Sequence, residues 1–466
     1  MAEVRDPNRL LPVDPATRDT ARGLYAAVAE AGIVSPHGHV PAAVIADNEA
    51  FENPAALLVS KDHYVTRLLH AQGVPLEELG VGESTADPRE VWRHCARHWH
   101  VFAGTASGYW IADTLAEVFG VEQELTEDTA DAIYDRIATV IGEDDFRPRQ
   151  LSERWGIEVL ATTDDPLDAL DAHQRLADDA DFTGRVIPTF RPDSYIDPEA
   201  DGFTSRVVAL LESQADTPTS FTGLLDALRA RRQHFISRGA TSADHGVYEP
   251  HTFDMDRSTA ERLFRQALTG HLTVREARAL RGHLLFQSAR MSVEDGLVMT
   301  IHPGVRRGHH QSTGARFGPD TGHDIPVGTE FTENLRPLLD AFGTEPGFHL
   351  VLFTVDETTF SRELAPLAGF YPSVYAGAPW WFLDAPDAIA RYRAAVTETA
   401  GFYRTSGFID DTRAFLSIPA RHDAARRLDA AFLARLVREG RVTHSAAERI
   451  MADLVDSIPR TVFKLH

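Results

Sequence analysis

The chain has 466 residues, of which 43% are hydrophobic, so it is long enough to bury a large core. It contains no run of about 18 apolar residues, which excludes a membrane-spanning helix. Its formal net charge of −23 argues against a nucleic-acid partner, because phosphate backbones are bound by basic surfaces.

Cysteine and lysine are both scarce. Cys95 is the single cysteine, so an intrachain disulfide is impossible, and with no secretory signal over residues 1–14 we expect a cytoplasmic protein. Only Lys61 and Lys464 among the 46 basic residues are lysines. Acidic, lysine-poor surfaces suit concentrated salt, where screening removes self-repulsion, although an arginine bias can also reflect GC-rich coding. Adaptation to salt is therefore a hypothesis to be tested.

The first predicted strand ends in two histidines. A helical pattern over 17–31 leads into an apolar stretch over 32–39, and Pro41 stops the strand. Alternate side chains of a strand face the same way, so His37 and His39 project together, and the glycine between them lets a ligand approach. Two imidazoles on one face are potential ligands for a divalent metal.

A mainly helical insertion follows this strand. From about residue 87 to 153, apolar residues recur three to four positions apart, which is the helical period. We therefore divide the chain into an N-terminal helix with the first barrel strand over 1–62, a helical insertion over 63–155, and the remainder of a barrel over 156–466.

Beyond the insertion, short apolar runs alternate with helical stretches. The runs cover 157–162, 185–190, 234–237, 297–301, 348–353, 374–377 and 408–409. With the first strand they make eight predicted strands, and strand–helix alternation indicates βαβ units. We therefore predict an α/β protein with a (β/α)8 TIM barrel, whose active site lies at the carboxyl ends of the strands.

Polar residues follow several of these runs, where a barrel site needs them. They are His37, His39, Arg191, His302, Asp411 and Arg413. Asp411 would complete a set of two histidines and a carboxylate, although its neighbour Asp410 could serve instead. His302 could be a fourth ligand or a hydrogen-bond donor to the substrate. Arg191 and Arg413 offer two-pronged partners for a carboxylate.

Two aromatic groups have open interpretations. Tyr64, after His63, could be an acid–base group whose pKa falls below about 10 if Arg413 lies near it. It could equally be an ordinary tyrosine of an amphipathic helix. We expect Trp380 and its aromatic neighbours at 381 and 382 to form core or oligomer contacts rather than a platform for substrate.

An ordered series of motifs from about residue 30 to 427 resembles the uronate isomerase (glucuronate isomerase) family of the amidohydrolase superfamily. The motifs are His37-Gly38-His39, Asp62-His63-Tyr64, Thr163-Asp164-Asp165-Pro166, Phe190-Arg191-Pro192-Asp193, Ser242-Ala243-Asp244-His245-Gly246, Trp380-Trp381-Phe382, Asp411-Thr412-Arg413 and Arg421-His422. The resemblance implies a metal-supported TIM barrel that interconverts D-glucuronate with D-fructuronate and D-galacturonate with D-tagaturonate.

The resemblance also implies roles for individual residues. His37, His39 and Asp411 would bind one divalent metal, which we expect to be zinc because imidazole and carboxylate suit it. The catalytic residues would be Tyr64, Asp411, Arg413 and His302. The substrate, a small-molecule hexuronate, would be bound by His63, Arg191, Arg413 and His302. We also expect a homo-oligomer with no nucleic-acid or membrane partner.

One rival function and one rival mechanism stay open at this point. A single-metal hydrolase such as a lactonase or deaminase could use the same histidines and aspartate, whereas a two-metal site bridged by a carboxylated lysine is excluded because neither Lys61 nor Lys464 ends a mid-barrel strand. An isomerase can move hydrogen from C2 to C1 as a hydride, or as a proton through an enediol. We expect the enediol route, with Tyr64 or Asp411 as the base and Arg413 lowering the pKa of Tyr64.

Overall fold

Strands and helices alternate along the computed structural model, which describes residues 6–214 and 217–465. The strands are β1 (Ile33–Ser35), β2 (Ile157–Ala161), β3 (Arg185–Ile187), β4 (Ser242–His245), β5 (Val298–Ile301), β6 (Val305–Arg306), β7 (Ile325–Pro326), β8 (Leu350–Leu352) and β9 (Val374–Ala376). The helices are α1 (Pro15–Ala26), α2 (Ala42–Asp47), α3 (His63–Ala71), α4 (Pro88–Arg97), α5 (Ala106–Asp113), α6 (Ala130–Ile141), α7 (Pro148–Arg154), α8 (Asp171–Asp178), α9 (Asp193–Ile196), α10 (Phe203–Glu212), α11 (Phe221–Ser237), α12 (Arg257–Leu268), α13 (Val274–Asp295), α14 (Gln311–Phe317), α15 (Arg336–Phe342), α16 (Ala365–Phe370), α17 (Pro386–Ala400), α18 (Ile418–Arg438), α19 (His444–Val455) and α20 (Ser457–Val462).

The long strands form a closed parallel barrel. One sheet has the order β1-β2-β3 and another the order β4-β5-β8-β9, and all of their pairings are parallel. A bridge from Asp164 to Phe190 extends the β2–β3 pairing, and a bridge from Phe190 to Ala243 joins the two sheets on one side. On the other side, the segment after α17 pairs with β9 through Thr405, and the His39 N–H donates to the Thr412 carbonyl oxygen at 2.9 Å. The predicted (β/α)8 TIM barrel is confirmed.

The predicted strand at 234–237 is wrong. These residues are the last turn of α11, and the barrel strand is β4. The apolar residues of α11 that are buried, among them Leu224, Leu228 and Phe235, follow the helical spacing and continue into the predicted run. The true strand was hidden because Asp244 and His245 are polar, although all residues of β4 are buried.

The region between β1 and β2 contains helices α2 to α7 in the part of the chain that the structure describes. Its buried residues, such as Trp92 and Phe119, belong to the same hydrophobic cluster as Ile33 and Leu160 of the barrel strands. The region therefore packs directly on the barrel. The division of the chain at residues 62 and 155 stays a prediction.

Two features distinguish the ends of the barrel. At the amino ends of the strands, the Lys464 ammonium donates to the carbonyl oxygens of Gly296 and Gly347, which precede β5 and β8, at 2.6 and 2.7 Å. At the carboxyl ends, β6 and β7 form an antiparallel pair with α14 between them. We call residues 305–326 the β6–β7 hairpin. Among the described residues, no helix is both long and apolar enough to cross a membrane.

Candidate active site

A pocket opens at the carboxyl ends of the barrel strands, beside the β6–β7 hairpin. Its lining residues are His39, Asp62, His63, Tyr64, Arg307, Trp380, Trp381, Asp411, Thr412, Arg413 and Ala414. Five of the eight predicted site residues are therefore in the pocket wall: His39, His63, Tyr64, Asp411 and Arg413. The structure places His37 and His302 next to Asp411, and it pairs Arg191 with the fully buried Asp244.

Three predicted residues converge on Asp411. Its Oδ1 atom lies 3.0 Å from Nε2 of His39 and 3.4 Å from Nε2 of His37, and its Oδ2 atom lies 3.9 Å from Nε2 of His302. The rings of His37 and His302 stack with their centroids 4.7 Å apart. The backbone of Asp411 has a φ of 41°, a left-handed conformation that is uncommon outside glycine and is often retained at functional sites.

These donor atoms fit a metal cation. Nε2 of His302 and Oδ1 of Asp411 are buried and make no hydrogen bond, although other nitrogen and oxygen atoms surround them. Among the described residues, the group of potential ligand atoms lying within 4.8 Å of one another comes from His37, His302 and Asp411. Imidazole nitrogens and carboxylate oxygens that face one another in a buried space are the donor set of a metal site. This part of the chain can hold a metal ion.

Asp410, the alternative to Asp411, is engaged elsewhere. Its Oδ2 atom lies 3.0 Å from Nε2 of His422, and its Oδ1 atom lies against Gly38. A β-carbon added at Gly38 would lie 3.5 Å from that oxygen. The geometry therefore favours Asp411 over Asp410 as the carboxylate that meets the histidines.

Asp244 orients His302, and sequence reasoning did not assign it a role. Its Oδ1 atom lies 2.6 Å from Nδ1 of His302 and accepts a hydrogen bond from the Thr300 hydroxyl at 2.6 Å. Burial favours the neutral carboxyl, but His302, Arg191 and His37 outweigh burial and hold the pKa of Asp244 well below its usual range. Because an ionised carboxylate only accepts, Nδ1 of His302 carries a proton. The signal available in the sequence was the motif over 242–246, which places an aspartate next to a histidine and a glycine.

Arg191 is already paired with two carboxylates. Its Nε atom donates to Asp193 at 2.8 Å, and one terminal nitrogen lies 3.2 Å from Oδ2 of Asp244. The guanidinium passes directly over Gly246, where a β-carbon would lie 2.3 Å from it. Arg191 is not among the residues that line the pocket. Its role as a substrate-binding residue stays a prediction.

Helix α3 points its first turn into the pocket. The Asp62 carboxylate caps this helix by accepting the Tyr64 N–H at 2.8 Å, which sets His63 and Tyr64 at the pocket wall. The rings of His63 and Tyr64 stack with centroids 4.8 Å apart. Burial, followed by the charge of Arg413, lowers the pKa of His63 to about 3, so its imidazole is neutral.

The expectation that the pKa of Tyr64 falls is wrong. Burial raises the pKa of the Tyr64 hydroxyl above its ordinary value of 10.0, and the charge of Arg421 only partly offsets this effect. Arg421 packs beside the Tyr64 ring. Its guanidinium carbon lies 5.7 Å from the Tyr64 centroid and 3.4 Å from the Trp110 centroid. Its charge is also shared with Asp384, with which it is ion-paired.

The mouth of the pocket carries a second arginine that sequence reasoning missed. Arg307, in the β6–β7 hairpin, lines the pocket together with Arg413. The Arg307 guanidinium lies 4.7 Å above the Trp381 ring centroid. Trp380 and Trp381 are buried, as expected of core residues, but both also line the pocket, and Trp380 contacts His302 at a centroid distance of 4.7 Å.

Comparison with known proteins gives one consistent result. The family described as glucuronate isomerase matches residues 15–462. A uronate isomerase from Corynebacterium efficiens is 49% identical over 461 residues, which cover 98% of each protein. The crystal structure of glucuronate isomerase from Caulobacter crescentus is 46% identical, with a TM-score of 0.96 over 98% of this chain and 96% of that one. Uronate isomerase from Thermotoga maritima is 26% identical, with a TM-score of 0.93 over 98% and 99% of the two chains.

Proposed function

Because the chain belongs to the glucuronate isomerase family, it is an aldose–ketose isomerase of uronates, and we propose that it interconverts D-glucuronate with D-fructuronate and D-galacturonate with D-tagaturonate. The observation that carries the choice of substrates is the pocket itself, where His39 and Asp411 lie in the same wall as Arg307 and Arg413. An acidic sugar needs a cation for its carboxylate and polar groups around its carbonyl carbon.

The proposal includes one divalent ion, zinc, held by His37, His39 and Asp411. His302 is a fourth donor, because its Nδ1 proton is committed to Asp244 and its free Nε2 atom faces Asp411. Imidazole and carboxylate are ligands that zinc accepts, so these four side chains would hold the ion. When bound, the ion supplies Lewis acidity that polarises an oxygen of the substrate.

The protonation state of Tyr64 changes the roles expected from sequence. A buried phenol with a raised pKa holds its proton at neutral pH, so it begins the reaction as an acid rather than a base. Asp411, an aspartate, begins ionised and is the group that accepts protons. Arg413 then binds the substrate and does not act on Tyr64, because Arg421 is the cation beside the tyrosine ring.

With these roles, every proton that Asp411 and Tyr64 take or give during the isomerisation is restored by its end. Asp411 takes the anomeric hydroxyl proton and passes it to the ring oxygen, which opens the sugar. It then takes the proton from C2 while the Tyr64 hydroxyl donates its proton to the carbonyl oxygen at C1, and an enediol forms. The Tyr64 phenolate next takes the hydroxyl proton at C2 while Asp411 returns its proton to C1, so the ketose forms and both residues regain their starting states.

The route is tested by turnover of D-glucuronate in D2O, with NMR of the ketose C1 position. Deuterium at C1 supports proton transfer, since a proton on a carboxyl exchanges with solvent and a hydride does not. Complete retention of the C2 hydrogen would indicate hydride transfer or a shielded base, and Tyr64→Phe separates these: only a proton route predicts a large loss of kcat.

The function itself is tested by a ketose assay. The purified protein is incubated with D-glucuronate and D-galacturonate, with and without a chelator, and in parallel with a panel of lactones and amides. Ketose formation supports the isomerase. Hydrolysis of the panel without ketose formation would instead support the single-metal hydrolase, which the family match does not favour.

The proposal extends to the setting in which the enzyme works. We place it in the cytoplasm as a homo-oligomer that acts on a free small-molecule hexuronate, without a nucleic-acid partner. The free, buried thiol of Cys95 and the net charge of −23 support the location and the absence of a nucleic-acid partner. Light scattering of the purified protein tests the oligomeric state.

A further inference from the structure

A buried pair of side chains, Asp410 and His422, lies behind the segment that carries Asp411. Oδ2 of Asp410 lies 3.0 Å from Nε2 of His422, and both side chains are buried. A carboxylate only accepts hydrogen bonds, so Nε2 of His422 carries the proton of this contact. The Phe408 ring meets the imidazole edge-on, with centroids 5.0 Å apart, and limits its orientation. Helix α18 therefore holds the Asp410 side chain through one imidazole.

The second oxygen of Asp410 meets the segment of the two metal-facing histidines. Oδ1 is buried and makes no hydrogen bond, and a β-carbon added at Gly38 would lie 3.5 Å from it. The same β-carbon would lie 3.6 Å from the carbonyl oxygen of Thr412. The glycine between the two histidines thus packs against both chain neighbours of Asp411. Any movement of Asp410 changes the spacing between the histidine segment and the aspartate.

The backbone of Asp411 needs this support. Its φ of 41° is a conformation that a residue other than glycine keeps only where its surroundings hold it. The preceding residue is held twice from the first turns of α18. Arg421 donates to the Asp410 carbonyl oxygen at 3.3 Å, and His422 binds the Asp410 carboxylate. Of these two contacts, only the second also fixes the side chain that lies against Gly38.

We propose that His422 is a positioning residue of the metal-binding site, which acts through Asp410 to hold Asp411 and the two histidines at their mutual distances. The inference rests on the metal site of the proposed function and adds to it a residue that touches neither metal nor substrate. His422 does not line the pocket. It lines a different cavity of about 530 Å3, together with residues of α1 and α7, so its truncation leaves the pocket wall intact.

The first test is the zinc affinity of His422→Ala, measured by competition with a chromophoric chelator. We expect a loss of at least about tenfold, as for other residues that orient metal ligands from behind. His422→Gln should recover most of it, because its amide can place an N–H near the position of Nε2. The control is His283→Ala, which removes a buried imidazole of α13 that is bonded to the Phe253 carbonyl oxygen. It should lower the melting temperature and leave zinc affinity unchanged.

Wild-type zinc affinity in His422→Ala, with only the melting temperature lowered, would overturn the proposal. If the alanine variant does not fold, His422→Asn takes its place. This side chain is polar but too short to reach Asp410, so the same loss of zinc affinity is expected and wild-type affinity again overturns the proposal. A wild-type protein that binds no zinc would overturn the proposed metal site and this inference with it.

The second test asks whether His422 acts through Asp410. Asp410→Ala is compared with the double variant Asp410→Ala and His422→Ala. Two residues that act through one contact are not additive, so both proteins should bind zinc equally weakly. A further loss of affinity in the double variant would overturn the assigned route, because His422 would then act on the site without Asp410.

Discussion

Nδ1 of His302 lies 2.6 Å from Oδ1 of Asp244, and this contact fixes which nitrogen of the imidazole faces Asp411. The aspartate is fully buried and belongs to β4, the histidine follows β5, and the two strands are adjacent in the sheet. A carboxylate behind a metal-facing histidine sets its tautomer and ring orientation and increases its basicity. Asp244 of the neighbouring strand therefore fixes the orientation in which His302 faces Asp411.

Asp244→Asn should lower metal affinity and activity without abolishing either. The amide cannot hold the Nδ1 proton of His302 as a carboxylate does, and we expect a loss of about 10–100-fold in metal affinity or in kcat/KM. Elemental analysis and ketose assays measure both. Thr300→Val is the matched control, since it removes the other hydrogen bond to the same oxygen, and its effect should be smaller. Equal effects of the two changes would contradict the special role of the histidine contact.

The double change His37→Ala and His39→Ala should abolish stoichiometric metal. Both imidazoles have a nitrogen within 3.4 Å of Asp411, and loss of two donors leaves too few ligands for tight binding. Elemental analysis of the purified variant is the measurement. His98 and His100 have the same spacing in the helical insertion, so their double alanine variant controls for general histidine loss. Full metal occupancy in the first variant would show that other residues hold the ion.

Arg191→Met should reduce stability as well as activity. The change removes a cation from the part-buried Asp193 and from the fully buried Asp244, and removing one partner of a buried pair costs up to about 3–5 kcal/mol of unfolding free energy. Denaturant unfolding and kcat/KM are measured together. Arg185→Met, at the start of β3 near the opposite end of the barrel, is the control. A variant as stable as the wild type with a raised KM would instead show that Arg191 serves the substrate alone.

Asp164 should make stability fall as pH rises. Burial raises its pKa to about 7, and a hydrogen bond from Thr162 only partly offsets this. The native state therefore holds a proton that the unfolded chain releases between its ordinary pKa near 4 and about pH 7, so this residue destabilises the fold progressively across that window.

The matching variant is Asp164→Asn, which mimics the protonated carboxyl. We expect its melting temperature to exceed that of the wild type at pH 8 and to equal it near pH 4, as measured by calorimetry. Asp171→Asn, at an exposed position in the same part of the barrel, controls for a general charge effect. The same difference at both pH values would contradict titration of Asp164.

Salt should stabilise the protein. With a net charge of −23 and two lysines, repulsion among the acidic groups opposes folding at low ionic strength, and added ions screen it. We expect a higher melting temperature in molar KCl than in dilute buffer. Equal melting temperatures would indicate that the arginine bias reflects GC-rich coding alone.

The alternation of apolar runs predicted the barrel, although the run at 234–237 is helical and β4 was missed. The spacing of His37 and His39 predicted that they lie close together. Other parts of the site depend on contacts between distant residues. The pKa of Tyr64 is set by burial and by Arg421, which no local pattern connects to it. Arg307 was missed because the β6–β7 hairpin folds back over the barrel, and sequence spacing does not reveal such a return.

Closure of the barrel has a consequence for how the enzyme is made. The hydrogen bond from the His39 N–H to the Thr412 carbonyl joins the first barrel segment to the last, and the histidines and Asp411 come from these same two segments. On the ribosome the histidines emerge early and must wait for nearly the whole chain to be translated. The proposed metal-binding site would therefore form only after synthesis is almost complete, and a truncated nascent chain would carry the two histidines without the carboxylate that they need to bind the ion.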